Sequence, residues 1–138
     1  MAAYKHIETC IGDYIAARYS HAVEIGIGKN TVAAGILFAQ GCLIRCTDIK
    51  DTGMVSDLPF FVGDIFSPQF SLNRGADIIY AIRPAIEMIP PLIDLAKVID
   101  CDLMVYHLGF ESYERGGEII DCGVLLHRYY KKSEHIKT

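Results

Sequence analysis

The residues with the clearest chemical potential lie in one short stretch, where the acid Glu24 precedes two glycines, Gly26 and Gly28. Glycine at these two positions lets the backbone turn sharply and approach a ligand closely, because a Cβ atom would obstruct it. Asn30 follows in the same stretch and tolerates the left-handed conformation that a third glycine would supply. We therefore expect a ligand-binding turn between a strand and a helix.

The turn departs from the nicotinamide-dinucleotide fingerprint. The pattern Gly-x-Gly-x-x-Gly requires glycine at position 31, where Thr31 stands. The carboxylate of Glu24 would also repel a pyrophosphate, whereas it would attract a sulfonium or an amino group. Both features disfavour an NAD(P)-dependent oxidoreductase, which remains a third alternative.

Two further acids are expected at the same edge of the predicted sheet. Asp48 ends the second predicted strand, 20 residues after Gly28, and an acid at this point accepts hydrogen bonds from ribose hydroxyls. Asp64 follows the third predicted strand, where it can accept from an adenine amino group. Acids around a glycine turn suit a cationic nucleoside that carries no phosphate.

Arg83 and His107 are the candidate catalytic residues. Arg83 follows the fourth predicted strand, and its planar guanidinium suits an anionic substrate; an ion pair with Glu87 is an equally weighted structural alternative. His107 closes the fifth predicted strand and could serve as a general base, since an unperturbed imidazole titrates at about pH 6.5. A hydrogen-bonded histidine at the end of a strand is the favoured alternative.

The composition limits the class of protein in which these residues can occur. The 138 residues are 51% apolar and 22% charged, which predicts one folded domain over residues 1–138. A net charge of −4 disfavours nucleic-acid binding. No apolar run approaches the roughly 18 residues of a membrane span, and the amino terminus has no secretory core, so we expect a cytoplasmic protein. Five cysteines without a Cys-x-x-Cys pair disfavour a disulfide framework and a metal site.

Apolar periodicity predicts the elements that position the turn and the acids. Residues 5–18 carry an apolar stripe at helical spacing and should form a helix that caps a sheet. Further helices are predicted at 31–40 and 91–98, and strands at 22–28, 43–48, 59–64, 77–82, 103–108 and 124–130, with 118–120 pairing beside the last. The fold class is α/β: a three-layer αβα, Rossmann-like, open and mostly parallel sheet of about six strands, with its ligand crevice at the carboxyl ends.

These motifs resemble the class I S-adenosylmethionine-dependent methyltransferases, and more specifically a family of short, uncharacterised archaeal proteins with that methyltransferase-like Rossmann fold. The resemblance rests on residues 23–28, 77–84 and 121–127. It implies S-adenosylmethionine as cofactor, with a site formed by Glu24, Gly26, Gly28 and Asp48, Asp64 beside the adenine, and Asn30 in place of a third glycine near the methionine end.

The resemblance also has a gap. Such enzymes often carry an Asn/Asp-Pro-Pro-aromatic motif that holds a target amine, but residues 82–85 read Ile-Arg-Pro-Ala. Amine methylation therefore loses support. The leading hypothesis is a domain that binds an adenosyl ligand and can transfer its methyl group to an unknown substrate. A second subunit or a protein partner would supply substrate recognition. The alternative is a non-catalytic nucleoside-binding or assembly module.

Overall fold

The computed structural model describes residues 3–53, 56–68 and 73–134. In chain order the elements are α1 (Ala3–Arg18), β1 (Ala22–Ile25), α2 (Val32–Ala39), β2 (Leu43–Asp48), β3 (Phe60–Val62), β4 (Ile78–Ile82), a 3₁₀ turn (Ile86–Met88), α3 (Ile89–Ile99), β5 (Asp102–Tyr106), β6 (Glu118–Asp121) and β7 (Leu125–Tyr130).

The strands form one sheet in the order β3-β2-β1-β4-β5-β7-β6. β1 to β5 run parallel, whereas β7 is antiparallel to both of its neighbours. The predicted open, mostly parallel α/β sheet is confirmed. It has seven strands rather than about six, because residues 118–121 form a full edge strand. The strand order reverses between β1 and β4, so a crevice opens there at the carboxyl ends.

Helices cover both faces of the sheet, as a three-layer fold requires. α1 and α2 pack together on one face, and α3 packs on the other. The central strand β4 shows why both faces need cover: Ile78 and Tyr80 face α1 and α2, whereas Ile79 and Ala81 face α3. A strand buried on both faces reads as an apolar run without polar alternation.

The helix boundaries follow from local sequence. α1 buries Ile11 and Ile15, two members of its predicted stripe. α2 is followed by Gly41 with a φ of +74°, the left-handed conformation in which glycine commonly ends a helix. α3 begins at Ile89 with proline in its first turn, where a missing N–H group costs nothing.

In the described ranges, no helix is long and apolar enough to cross a membrane. The five cysteines are free thiols, and three of them, Cys42, Cys46 and Cys101, are buried. They therefore pack as small apolar side chains.

Candidate functional site

A cavity of about 190 Å³ opens at the carboxyl edge of the sheet, where β1, β2, β3 and β4 end. Four of the predicted site residues line it, namely Gly26, Asp48, Asp64 and Arg83. Its apolar wall consists of Ile25, Ile49, Ile65, Phe66, Pro84, Ala85 and Met88. The cavity lies where the strand order reverses, which is the usual ligand position in open α/β sheets. We call it the carboxyl-edge cavity.

Gly26 forms the part of the turn that borders this cavity. It has a φ of +74°, and its N–H and that of Ile27 both donate to the carbonyl of Thr47, at 2.8 and 2.9 Å. A Cβ atom at residue 26 would lie 3.4 Å from Cε of Met88. Gly28 also has a positive φ, of +59°, but a Cβ there would meet no atom within 4 Å. Conformation therefore favours glycine at both positions, and a Cβ atom at residue 26 would make an ordinary van der Waals contact with Met88.

The carboxylates of Asp48 and Asp64 are oriented by backbone N–H groups. Asp48 accepts from Gly28 at 2.9 Å and from Lys50 at 3.1 Å. Asp64 accepts from Phe66 at 2.9 Å. A carboxylate offers about four acceptor positions, so both side chains can still accept from hydroxyl or amino groups of a ligand.

Glu24 lies apart from this cavity, in the interior between β1 and the α1–α2 layer. Glu24 is only 1% exposed, and the Tyr80 hydroxyl donates to its Oε1 at 2.6 Å. Burial raises the pKa of Glu24 to about 8, although the Tyr80 hydrogen bond lowers it. Because Glu24 is buried, does not line the cavity and has a raised pKa, it does not add the negative charge predicted at the rim.

Glu8 is a second interior acid, which the sequence analysis missed. Its Oε1 accepts from the N–H of Ala33 at 3.1 Å, in the first turn of α2. Burial raises the pKa of Glu8, while the Ala33 N–H group and the charge of Arg83 lower it. The available signal was its spacing: Glu8 lies three residues before Ile11 and seven before Ile15, on the buried stripe of α1.

The position of Glu8 bears on the ligand class. The helix that follows a glycine turn normally presents its first N–H groups to the pyrophosphate of a dinucleotide. In this chain a buried carboxylate of the protein occupies that helix end. The arrangement disfavours a second anionic group there.

Asn30 does not adopt the left-handed conformation expected of it. Outside glycine, and within the described residues, positive φ angles occur at Arg83, Asp100 and Glu114. Gly28 already reverses the chain two residues earlier, so a further left-handed residue is not needed before α2. Neither Gly28 nor Asn30 lines the carboxyl-edge cavity.

Arg83 occupies a strained backbone position at the end of β4. Its φ is +54°, which costs a residue with a Cβ atom about 1–3 kcal/mol. Its N–H donates to the carbonyl of Tyr106 at 2.7 Å, and its guanidinium carbon lies 5.7 Å from the centre of the Tyr106 ring. The ion pairs among the described residues involve Arg128, so the alternative pairing of Arg83 with Glu87 is not observed.

His107 belongs to a separate aromatic cluster beyond β5. It is 4% exposed, and its Nε2 lies 2.6 Å from the Tyr129 hydroxyl, which also accepts from the N–H of Tyr113. Its ring centre is 4.8 Å from that of His127. Burial lowers the pKa of His107. Since it does not line the cavity, the structure separates the two candidate catalytic residues and gives His107 the surroundings of a hydrogen-bonded strand-end histidine.

Comparison with known sequences identifies related proteins. The profile described as Uncharacterised protein family (UPF0146) matches residues 9–119. A UPF0146 protein of Archaeoglobus fulgidus is 30% identical over 96 residues, which cover 69% of this chain and 74% of that protein.

Comparison with solved structures identifies the fold. The sugar N-methyltransferase KedS8 from a Streptoalloteichus species aligns with a TM-score of 0.55 at 11% identity, over 87% of this chain and 55% of that one. Magnesium protoporphyrin IX methyltransferase from Synechocystis, solved with bound S-adenosylmethionine, aligns with a TM-score of 0.53 at 15% identity, over 74% and 57%. The chain spans a little over half the length of these two structures. The methyltransferase-like Rossmann fold predicted from the sequence is confirmed.

Proposed function

This chain belongs to the UPF0146 family, and from that premise we propose that it binds S-adenosylmethionine, or a closely related adenosyl ligand, in the carboxyl-edge cavity. The observation that carries the proposal is the placement of two oriented carboxylates, Asp48 and Asp64, beside the Gly26 turn where the sheet order reverses. The methyltransferase-like fold supports it, because one structural neighbour was solved with S-adenosylmethionine bound.

The residues of the cavity fit the parts of such a ligand. Asp48 can accept hydrogen bonds from the ribose hydroxyls and Asp64 from the adenine amino group. The apolar side chains of Ile49 and Phe66 offer a surface for the adenine ring. Gly26 leaves space that a Cβ atom would partly fill, beside Met88. No phosphate is required by any of these groups.

A dinucleotide ligand fits less well. Its pyrophosphate would have to approach the N-terminus of α2, where Glu8 already accepts the N–H of Ala33. Because that N–H group is already paired with Glu8, it is less available to a phosphate oxygen. The NAD(P) alternative therefore has less support in the structure than an adenosyl ligand.

Methyl transfer is the activity that we propose for the bound ligand. S-adenosylmethionine supplies an activated methyl group, and the protein then needs chiefly to orient the donor and the acceptor. Because the chain spans just over half the length of the methyltransferases aligned to it, we propose that a second copy or another protein completes acceptor recognition.

A non-catalytic nucleoside-binding module is the second candidate. It is favoured by the position of His107, which is buried outside the cavity and hydrogen-bonded to Tyr129. Transfer of a radioactive methyl group from S-adenosylmethionine to a component of a cell extract would support the enzyme over the module.

Calorimetric titration tests the binding proposal directly. We expect saturable, mutually competitive binding of S-adenosylmethionine and S-adenosylhomocysteine, and no binding of NAD or NADP at the same concentrations. Asp64→Ala should weaken binding of both adenosyl ligands, whereas Asp57→Ala, a change at an exposed acid outside the cavity, should not. Binding of NAD alone would contradict the proposal.

A further inference from the structure

We propose that the guanidinium of Arg83 binds a carboxylate group of a ligand in the carboxyl-edge cavity. The inference rests on the proposed function for the adenosyl ligand, and it adds a recognition group that the fold alone does not assign. The chemistry is that of a planar anion held by the paired donors of a guanidinium.

The backbone conformation at Arg83 supports a functional role for its side chain. A left-handed φ of +54° is unfavourable for any residue with a Cβ atom, and glycine would relieve it. The conformation is nevertheless held by a hydrogen bond, since the Arg83 N–H group donates to the carbonyl of Tyr106. Arg83, which lines the cavity, is therefore held by a fixed backbone.

Arg83 forms no ion pair with an acid of the described residues. Arg128 provides the contrast, since its guanidinium pairs with Asp102 at 3.7 Å and also with Glu118. Arg83 is half-buried and forms no such pair within residues 3–53, 56–68 and 73–134. Its charge lowers the pKa of Glu8, but the Glu8 carboxylate is bonded to Ala33 of α2. Arg83 is thus available to an incoming anion.

The position of Arg83 gives the cavity two electrostatically different walls. Asp48 and Asp64 follow β2 and β3, whereas Arg83 follows β4. A ligand with hydroxyl or amino groups at one end and a carboxylate at the other would be oriented by this arrangement, because the acids repel the carboxylate and the arginine attracts it. The carboxylate has two sources: the amino-acid portion of the adenosyl ligand itself, or a separate acceptor bound beside it.

The first arm of the experiment compares two adenosyl ligands by calorimetry. S-adenosylhomocysteine carries the amino-acid carboxylate, and 5′-methylthioadenosine lacks it. If the ligand is the source, Arg83→Gln should weaken binding of S-adenosylhomocysteine about tenfold or more and leave 5′-methylthioadenosine within about twofold. Arg83→Lys should lose less, because lysine keeps the charge without the planar fork.

Two further variants separate recognition from folding. Arg83→Gly removes the guanidinium and also relieves the backbone strain, so it should fold at least as stably as the wild type and still lose the carboxylate-dependent affinity. Arg74→Gln removes a charge from an exposed arginine before the amino end of β4, outside the cavity, and should bind both ligands like the wild type.

The second arm tests a separate carboxylate. Malonate is titrated into protein saturated with S-adenosylhomocysteine, and into the unliganded protein, while the Nε–H resonance of Arg83 is followed by NMR. If an acceptor is the source, malonate should shift this resonance in the wild type. In calorimetry, Arg83→Gln and Arg83→Gly should then bind both adenosyl ligands normally but not malonate.

Equal binding of S-adenosylhomocysteine by wild type and Arg83→Gly, together with an Arg83 resonance that malonate does not move, would overturn the inference. Absence of any adenosyl binding by the wild type would instead refute the proposed function. The malonate titration of the unliganded protein would still decide the role of Arg83 in that case.

Discussion

Two pairs of acids near the Gly26 turn differ in their surroundings: one pair is buried in the interior, and the other lines the cavity. Glu8 and Glu24 face the layer between the sheet and the helices α1 and α2, where burial raises the pKa of both. Asp48 and Asp64 line the carboxyl-edge cavity and are held by backbone N–H groups. An acid that precedes a glycine turn is thus not necessarily a ligand-binding acid, because its position along the strand decides which way it points.

The largest expected effect is on the pH dependence of stability through Glu24. Its pKa rises from 4.5 to about 8 on folding, so the folded state binds more protons than the unfolded state between these values. The contribution of Glu24 to stability should be fully present below about pH 4.5 and be lost progressively as the pH rises to about 8, a decline of a few kcal/mol. Urea unfolding at a series of pH values measures this decline.

Glu24→Gln is the matched variant for this measurement. Glutamine keeps an oxygen that can accept from Tyr80 but cannot ionise. We expect a much flatter stability curve and a variant that is more stable than the wild type at alkaline pH. A wild-type curve without a decline over that range would show that Glu24 is not held protonated. The same variant should bind the adenosyl ligand within about twofold of wild type.

The next effect concerns the cavity acids. Asp48→Ala removes an acceptor for the ribose and releases the N–H of Gly28, so affinity for S-adenosylhomocysteine should fall by about 2 kcal/mol, or roughly thirtyfold. Asp51→Ala is the control, since Asp51 is exposed, lies outside the cavity lining and accepts from Gly53 in its own loop. Calorimetry should separate the two variants, and equal losses would remove Asp48 from the site.

A smaller effect is expected at Tyr80. Tyr80→Phe leaves Glu24 buried without its hydrogen bond, which should destabilise the protein by about 1.5 kcal/mol. Since that bond lowers the pKa of Glu24, the variant should also titrate Glu24 at higher pH, as followed by carboxyl NMR. Tyr14→Phe, at a partly exposed position on α1, should change neither quantity. An unchanged Glu24 titration in Tyr80→Phe would argue against the interior pairing.

The smallest expected effect is at Gly26, where the backbone cost of adding a Cβ atom can be separated from the effect of a methyl group in the cavity. Gly26→Ala and Gly41→Ala both force a residue with a Cβ atom to a φ of +74°, so each should cost about 1 kcal/mol of stability. Only the first places a methyl group against Met88 in the cavity wall. Ligand affinity should therefore fall in Gly26→Ala alone, and a matching fall in Gly41→Ala would indicate a general loss of folding.

The sequence was sufficient for the sheet and for the placement of two acids at its carboxyl edge. Apolar runs such as Ile78–Ile82 have no polar alternation because both faces are covered, and acids at strand ends predicted Asp48 and Asp64 correctly as neighbours of the turn. The face of the sheet on which the Glu24 side chain lies could not be predicted. All four positions of β1 are buried, and such a run does not reveal which face each side chain takes. The backbone strain at Arg83 and the capping by Glu8 arise from tertiary contacts, which no local pattern encodes.

The strand order has a consequence for how the protein acquires its cavity. Gly26 and Arg83 belong to distant parts of the chain, and they meet only after β4 has aligned between β1 and β5. Parallel pairings of this kind close long loops and form slowly. A small molecule that contacts both walls can therefore bind only the assembled sheet, and by mass action it would stabilise the pairing of segments that lie far apart along the chain.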